Sequence, residues 1–113
     1  MTPAAFRRLA LSLPEAVESS HMNHPDFRVR GKVFASLGYP KPDDGTVKLT
    51  PEQQEAEMAE HPGVFTPAAG AWGRRGYTVV RLRAATAVIL RRAMRAAWHN
   101  TAPKSLRDRH EDE

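Results

Sequence analysis

Apolar residues recur at two different spacings along the chain, and the first spacing predicts an amphipathic helix. Between Phe6 and Leu13 they follow the three- and four-residue spacing of a helix face. Thr2 and Pro3 supply the N-cap hydroxyl and the first-turn proline that begin such a helix. Pro14 cannot continue the helix, so we expect it to end before that residue.

After this helix the spacing of apolar residues falls to two, which is typical of β-strands. Phe27 and Val29 should face a core because they alternate with basic residues. Arg28 and Arg30 should then lie on the opposite face of the strand. Gly31 permits a tight turn, which predicts a hairpin with the apolar run that follows.

The second half of the chain contains two further predicted helices with a strand between them. Residues 50–53 form the clearest helix start, with an N-cap threonine, a first-turn proline and a glutamine that can complete a capping box. The glycine-flanked segment GAWGRRG (70–76) predicts a tight hairpin turn, and YTVVRLR (77–83) predicts a strand. A last helix is expected over residues 84–99.

This order of helices and strands predicts an α+β domain in which helices cover one face of an antiparallel sheet. Residues 1–103 are expected to form that single domain, since a chain of 113 residues is too short for two self-supporting cores. Residues 104–113 are charged and are expected to form a frayed C-terminal tail.

Composition limits the chemistry and the cellular compartment that we expect for the domain. The chain has no cysteine, which excludes disulfides, thiolate metal sites and cysteine nucleophiles. No apolar run approaches the roughly 20 residues of a membrane span, and the N-terminal segment lacks the apolar stretch of a signal peptide. We therefore expect a cytoplasmic protein without membrane contact.

The net charge of +4 is distributed unevenly along the chain. No acidic residue lies between Glu60 and Asp108, a stretch that is rich in arginine. Acidic residues are concentrated instead in residues 52–60. Such a distribution attracts polyanions or an acidic partner through its long-range field.

Sequence signatures of catalysis and of metal binding are missing. The chain has no nucleophile elbow, phosphate-binding loop or dinucleotide fingerprint. Ser19, Ser20 and His21 are adjacent, but neighbours in a strand point to opposite faces and do not indicate a nucleophile with its base. His21 and His24 lack the helical spacing of zinc ligands. We expect no catalytic residue, no metal and no cofactor.

Basic and aromatic residues of the predicted strands and turns are the candidates for binding. Strand alternation places several arginines on the sheet face opposite the helices, where long cationic side chains suit phosphate contacts. A merely solvated sheet face would give the same pattern. Trp72 is expected to cap the core, with a stacking or interface position as the alternative. The candidate nucleic-acid-binding residues are Arg28, Arg30, Lys32, Lys48, Arg74, Arg75, Tyr77, Arg81 and Arg83.

Four stretches together, HPDFRVRGKVFASL, VKLTPEQQ, TPAAGAWGRRGYTVVRL and AWHNTAPKSL, resemble the MmcQ/YjbR family of bacterial proteins. The resemblance covers nearly the whole chain and implies a frataxin-like (CyaY-like) α+β fold. Family members are commonly described as DNA-binding proteins with a double wing, meaning two β-hairpins that engage DNA. The wings here would be the hairpin at residues 30–32 and the one at residues 72–76, with Tyr77 in an aromatic position of the family pattern.

The resemblance and the charge pattern together predict a non-enzymatic protein that binds duplex DNA through its phosphates, with little sequence preference. One alternative is a protein-interaction module, whose basic face receives an acidic protein or the acidic helix of a second copy of the chain. A further alternative is a pocket for a small anionic ligand, which requires a concave site that holds several of the arginines.

Overall fold

The computed structural model describes residues 1 to 110, which form one six-stranded antiparallel sheet with helices packed against it. The strands are β1 (Val17–His21), β2 (His24–Val29), β3 (Lys32–Leu37), β4 (Asp44–Lys48), β5 (Phe65–Pro67) and β6 (Tyr77–Arg81). The helices are α1 (Pro3–Leu11), α2 (Pro51–Glu60), α3 (Gly70–Arg74), α4 (Ala87–Thr101) and α5 (Lys104–Arg109). The strand order is β1-β2-β3-β4-β6-β5, which confirms the predicted α+β class. No helix in this part of the chain is long and apolar enough to cross a bilayer.

Helices α1 and α2 begin with the caps that the sequence predicts. At the start of α1, Thr2 Oγ1 accepts a hydrogen bond from the Ala5 N–H at 3.1 Å. At the start of α2, Thr50 Oγ1 accepts from the Gln53 N–H at 3.1 Å, and Gln53 Oε1 accepts from the Thr50 N–H at 2.9 Å. These bonds satisfy backbone donors that every helix start leaves unpaired, so they fix where α2 begins.

The core lies between the sheet and the helices. Helices α1 and α4 contact the central strands β3 and β4, while α2 contacts β5 and β6. Phe6 of α1 is fully buried, and its ring lies 6.0 Å from that of Phe27 on β2. The predicted face of α4, which includes Leu90, Met94 and Trp98, is buried too. Burial of each such side chain contributes about 1.5–3 kcal/mol and holds the helices on one face of the sheet.

A buried glutamine joins α2 to the segment between β5 and β6. Gln54 Nε2 donates to the backbone oxygens of Gly73 and Tyr77 at 3.1 and 3.0 Å. It also lies 3.1 Å from Thr78 Oγ1, which donates to the Gly76 oxygen at 2.7 Å. Because these polar groups are buried, their hydrogen bonds are needed to avoid a desolvation penalty. The network therefore ties α2 and α3 to the start of β6.

The connection between β5 and β6 is helical and is not the tight hairpin turn that the sequence predicts. Residues 70–74 form α3, although β5 and β6 are antiparallel neighbours. Gly73 is buried, and a Cβ on it would lie 1.9 Å from the Ala68 carbonyl oxygen. This glycine permits a close approach of two backbone segments, a requirement that looks the same in the sequence as a turn.

Strand β6 is shorter than predicted. It ends at Arg81, and residues 82–84 form a 3-10 turn. Leu82 is buried in the core as expected. Arg83 lies beyond the strand and forms an ion pair with Asp43 at 3.0 Å, so the prediction that Arg83 extends the basic sheet face is wrong.

The charged C-terminal segment is helical rather than frayed over residues 104–109. Leu106 of α5 is fully buried, which anchors the helix to the core. Lys104 and Asp108, one turn apart, form an ion pair at 2.7 Å, and the hydrogen bond from Lys104 lowers the pKa of Asp108. Residues 111–113 of the predicted tail lie outside the described residues.

The predicted hairpin between β2 and β3 is present, and its turn is bound to the segment after α1. Arg30 and Gly31 have φ angles of 50° and 81°, as in a two-residue hairpin turn. Arg30 donates to both carboxylate oxygens of Glu15, at 2.6 and 3.0 Å, and Arg109 donates to the same carboxylate at 3.3 Å. Arg30 therefore lies in the turn and not on the sheet face, where strand alternation predicts it. The hydrogen bond from Arg30, with the charges of Arg30 and Arg109, lowers the pKa of Glu15.

Replacement of Gly76 by alanine should destabilise the protein more than replacement of Gly63. Both glycines have positive φ angles, 111° and 88°, a conformation that costs other residues about 1–2 kcal/mol. At Gly76 the new Cβ would also lie 2.0 Å from the Leu49 oxygen, which adds about 1–3 kcal/mol of overpacking. Urea unfolding should show the larger loss for Gly76→Ala, and equal losses would contradict the close packing.

The ion pair at the β2–β3 turn should be detectable by titration. Because the pKa of Glu15 is lowered in the folded state, the pair stabilises the fold above the ordinary glutamate pKa, and this stabilisation is lost as the pH falls through the lowered value. Arg30→Gln should raise the pKa of Glu15, measured from its carboxyl-carbon NMR shift. Arg8→Gln, at an exposed position of α1, is the control and should leave it unchanged. An identical Glu15 titration in both variants would argue against the pair.

Candidate nucleic-acid interface

One face of the sheet, here named the open face, carries the half-buried and exposed side chains of β4 and β6, and the register of these two strands determines which side chains they are. Lys48 on β4 lies opposite Tyr77 on β6. Their neighbours Val47 and Thr78 also lie opposite each other and are fully buried on the helix side. Arg81 follows Tyr77 by four residues and so shares its face. The predicted alternation is therefore confirmed for these two strands.

The candidate residues are divided between the two ends of the sheet. The near end is the end that contains the β2–β3 turn, the last residue of β4 and the first residue of β6. The far end contains the last residue of β3, the first residue of β4 and the last residue of β6. Arg81 and Arg83 lie at the far end, where Arg81 is about 13 Å along the strand from Tyr77. The candidates at the near end are Arg28, Arg30, Lys32, Lys48, Arg74, Arg75 and Tyr77.

Two cations and two aromatic rings form a cluster at the near end, here named the cation–aromatic corner. Lys48 Nζ lies 5.9 Å from the centre of the Tyr77 ring. The Tyr77 and Trp72 rings stand edge to face, with centres 5.0 Å apart and an interplanar angle of 86°. The Arg75 guanidinium lies 5.6 Å from the centre of the Trp72 ring. These are favourable distances for cation–π and edge-to-face contacts, so the four side chains hold one another in place.

The expectation that Trp72 caps the core is wrong. Trp72 is 56% exposed and lies at the surface of α3. The residue that α3 buries is Gly73, which packs against the Ala68 carbonyl. Because the glycine allows α3 to approach the backbone closely, the neighbouring tryptophan is left beside Tyr77 with its ring open to solvent. The sequence carries no separate signal for this placement, because a glycine that is needed for close packing looks the same in the sequence as a turn glycine.

Three of the candidate arginines are paired with carboxylates of the same chain. Arg28 donates to both oxygens of Asp26, at 2.9 and 3.1 Å, and these hydrogen bonds raise the pKa of Arg28. Asp26 itself is only 2% exposed. Arg30 and Arg83 form the ion pairs described above. A phosphate can interact fully with these arginines only after displacing a carboxylate.

The other candidate cations form no ion pair with any residue among 1 to 110. They are exposed or half-buried, and all except Arg81 lie at the near end. The near end therefore has positive charge that the described part of the chain does not neutralise. These cations are Lys32, Lys48, Arg74, Arg75 and Arg81.

Two of the four glutamates of α2 form ion pairs with an arginine of the same chain. Arg92 of α4 donates to Glu57 at 2.6 Å and to Glu60 at 2.9 Å, which raises the pKa of Arg92. Glu57 is 7% exposed, and its Oε2 has no hydrogen-bond partner within the described residues. Glu52 and Glu55 remain exposed. Glu57 and Glu60 thus serve contacts within the fold.

Neither of two recesses on the surface of residues 1 to 110 is lined by a candidate arginine. A recess of about 250 Å³ between α1 and α4 is lined by Leu9, Leu13, Met94 and other residues, none of them a candidate. A recess of about 30 Å³ on the open face includes Lys48 and Tyr77. Across residues 1 to 110, no group of three or more histidine and acidic side chains is placed to hold a metal ion.

Most of the chain matches one protein family. A model of the YjbR family matches residues 11–100, which include the β2–β3 turn, α3 and β6. A search of curated proteins gives no match. The crystal structure of a Deinococcus radiodurans protein with a DUF419 domain is similar with a TM-score of 0.77 and 19% identity, over 96% of this chain and 86% of that one. At this identity the likeness concerns the fold alone. The family match, as the motifs of the sequence imply, shows that the chain belongs to the YjbR family.

Proposed function

We propose that this protein binds nucleic acid through the near end of its sheet, and that it is a binding protein rather than an enzyme. The supporting observation is the position of the five candidate cations that form no ion pair within residues 1 to 110. Four of these five, Lys32, Lys48, Arg74 and Arg75, lie at the near end, where the ring of Trp72 is exposed. A polyanion is the class of partner that neutralises several such cations at once.

Two connections of the chain lie at this end. One is the β2–β3 hairpin, and the other is the α3 connection, which is helical and is not the tight hairpin turn expected for the second wing. The β2–β3 turn presents Lys32, and the α3 connection presents Arg74 and Arg75. Strand β3 is two positions from β6 in the sheet, a separation of about 10 Å. One stretch of phosphate backbone can therefore contact both connections.

The contacts proposed are to phosphates rather than to base edges. Lysine and arginine side chains that form no ion pair neutralise phosphates but do not distinguish bases, because base recognition requires bidentate geometry held within a groove. Arg28 and Arg30 are secondary in this scheme, because each is already bound to Asp26 or Glu15. The protein is accordingly expected to bind DNA with little sequence preference.

Removal of two near-end arginines should weaken binding to nucleic acid. Arg74→Ala/Arg75→Ala should lower the affinity for all sequences alike. It should also reduce the slope of log K against log salt concentration by about one unit for each phosphate that the variant no longer neutralises. Fluorescence anisotropy with labelled DNA, both single-stranded and duplex, measures the affinity and the slope at several salt concentrations.

The matched control is Arg8→Ala/Arg91→Ala, which removes the same charge from exposed positions of α1 and α4. These arginines lie on helices rather than at the near end, so the control should lose much less affinity. If the wild-type protein binds neither form of DNA at low salt, the proposed function is wrong. If the two double variants lose equal affinity, the near end is not the binding site.

A further inference from the structure

The exposed tryptophan of the cation–aromatic corner bears on whether the protein binds single-stranded or duplex nucleic acid. We propose that the near end binds single-stranded nucleic acid, with an unpaired base stacked on Trp72 and the adjacent phosphates contacted by Lys48, Arg74 and Arg75. This inference rests on the proposed function and specifies its substrate class.

Trp72 has the two properties that a stacking platform requires, because it is both accessible and held in position. More than half of its surface is open to solvent. Its ring is nevertheless fixed by the edge-to-face contact with Tyr77 and by the guanidinium of Arg75. A ring that is already ordered loses little conformational freedom when a base stacks on it, which favours binding.

Stacking of a base on Trp72 requires that the base be unpaired. Within a duplex each base is covered by its neighbours, so a protein ring cannot reach its face without unstacking it. A single strand presents base faces freely, and proteins that bind it combine aromatic platforms with cations along the backbone. The corner has this combination, since its rings lie between Lys48 on one side and Arg75 on the other.

The far end of the sheet has an exposed aromatic ring but, within the described residues, no cation held against it. Tyr39 is 61% exposed, and its ring contacts His24 with centres 5.6 Å apart. No cation lies over this ring in the described residues. Asp43 and Asp44 also lie at this end, next to the arginines. The negative charges disfavour a phosphate backbone there, so Tyr39 is a matched control for Trp72.

The test compares three probes of equal length: single-stranded oligothymidylate, its duplex with oligoadenylate, and an abasic single strand. Wild-type protein should bind oligothymidylate more tightly than either other probe in fluorescence anisotropy titrations. Trp72→Ala should lower its affinity for oligothymidylate by roughly fivefold or more, which is the effect of removing one base stack. The same change should leave affinity for the abasic strand nearly unaltered. Trp72→Phe should retain most of the affinity, and Tyr39→Ala should match the wild type.

Three outcomes would overturn this inference while leaving the proposed function intact. In the first, the protein binds the duplex at least as tightly as the single strand. In the second, it binds the abasic strand as tightly as oligothymidylate. In the third, Trp72→Ala binds oligothymidylate with the affinity of the wild type. Salt-dependent binding of any probe would then still support the phosphate contacts. If no probe binds, both the inference and the proposed function fail. Urea unfolding of each variant verifies that exposed Trp72 and Tyr39 can be replaced without loss of the fold.

Discussion

The antiparallel pairing of β4 with β6 separates the buried face of the sheet from the open face. With Val47 opposite Thr78, both residues lie under the helices, and with Lys48 opposite Tyr77, both lie on the open face. A shift of one residue would exchange the two faces. Gly76 opposes such a shift, because its backbone packs so closely against the segment after β4 that no side chain fits. The core and the corner therefore depend on the same register.

The position of α3 depends in turn on contacts that the glycines and Gln54 make possible. Gly73 lets the short helix lie against the backbone of residue 68, and Gln54 bonds the helix to α2 and to the start of β6. Trp72 is the neighbour left at the surface, beside Tyr77. The contacts of Gly73 and Gln54 therefore both stabilise this part of the fold and place the ring of Trp72 near cations that form no ion pair. The proposed binding of nucleic acid depends on this position of the ring.

Local features of the fold could be predicted from the sequence because their causes lie within a few residues. The threonine caps of α1 and α2 and the alternation along β4 and β6 are of this kind. The helical form of α3 and the exposure of Trp72 depend on Ala68 and Gln54 in the folded chain, and the glycines of residues 70–76 suggest a turn equally well.

The pairing of individual arginines also could not be predicted from local pattern. Arg30 and Glu15 are fifteen residues apart in sequence, and their contact exists only because the β2–β3 turn folds back on the segment after α1. The ion pair between Arg83 and Asp43, at the far end of the sheet, likewise joins residues that are distant in the sequence. Charge patterning therefore identified a basic half of the molecule, whereas tertiary contacts determine which cations remain available at the near end.

An NMR titration of isotope-labelled protein with oligothymidylate tests whether nucleic acid contacts the near end of the open face. The largest shift changes are expected at the Trp72 indole N–H and in the backbone of Lys48, Arg75 and Tyr77. Helices α1 and α4 and the far end should change little. Shift changes concentrated on the helices or at Arg81, or no change at low salt, would show that the near end is not the binding site.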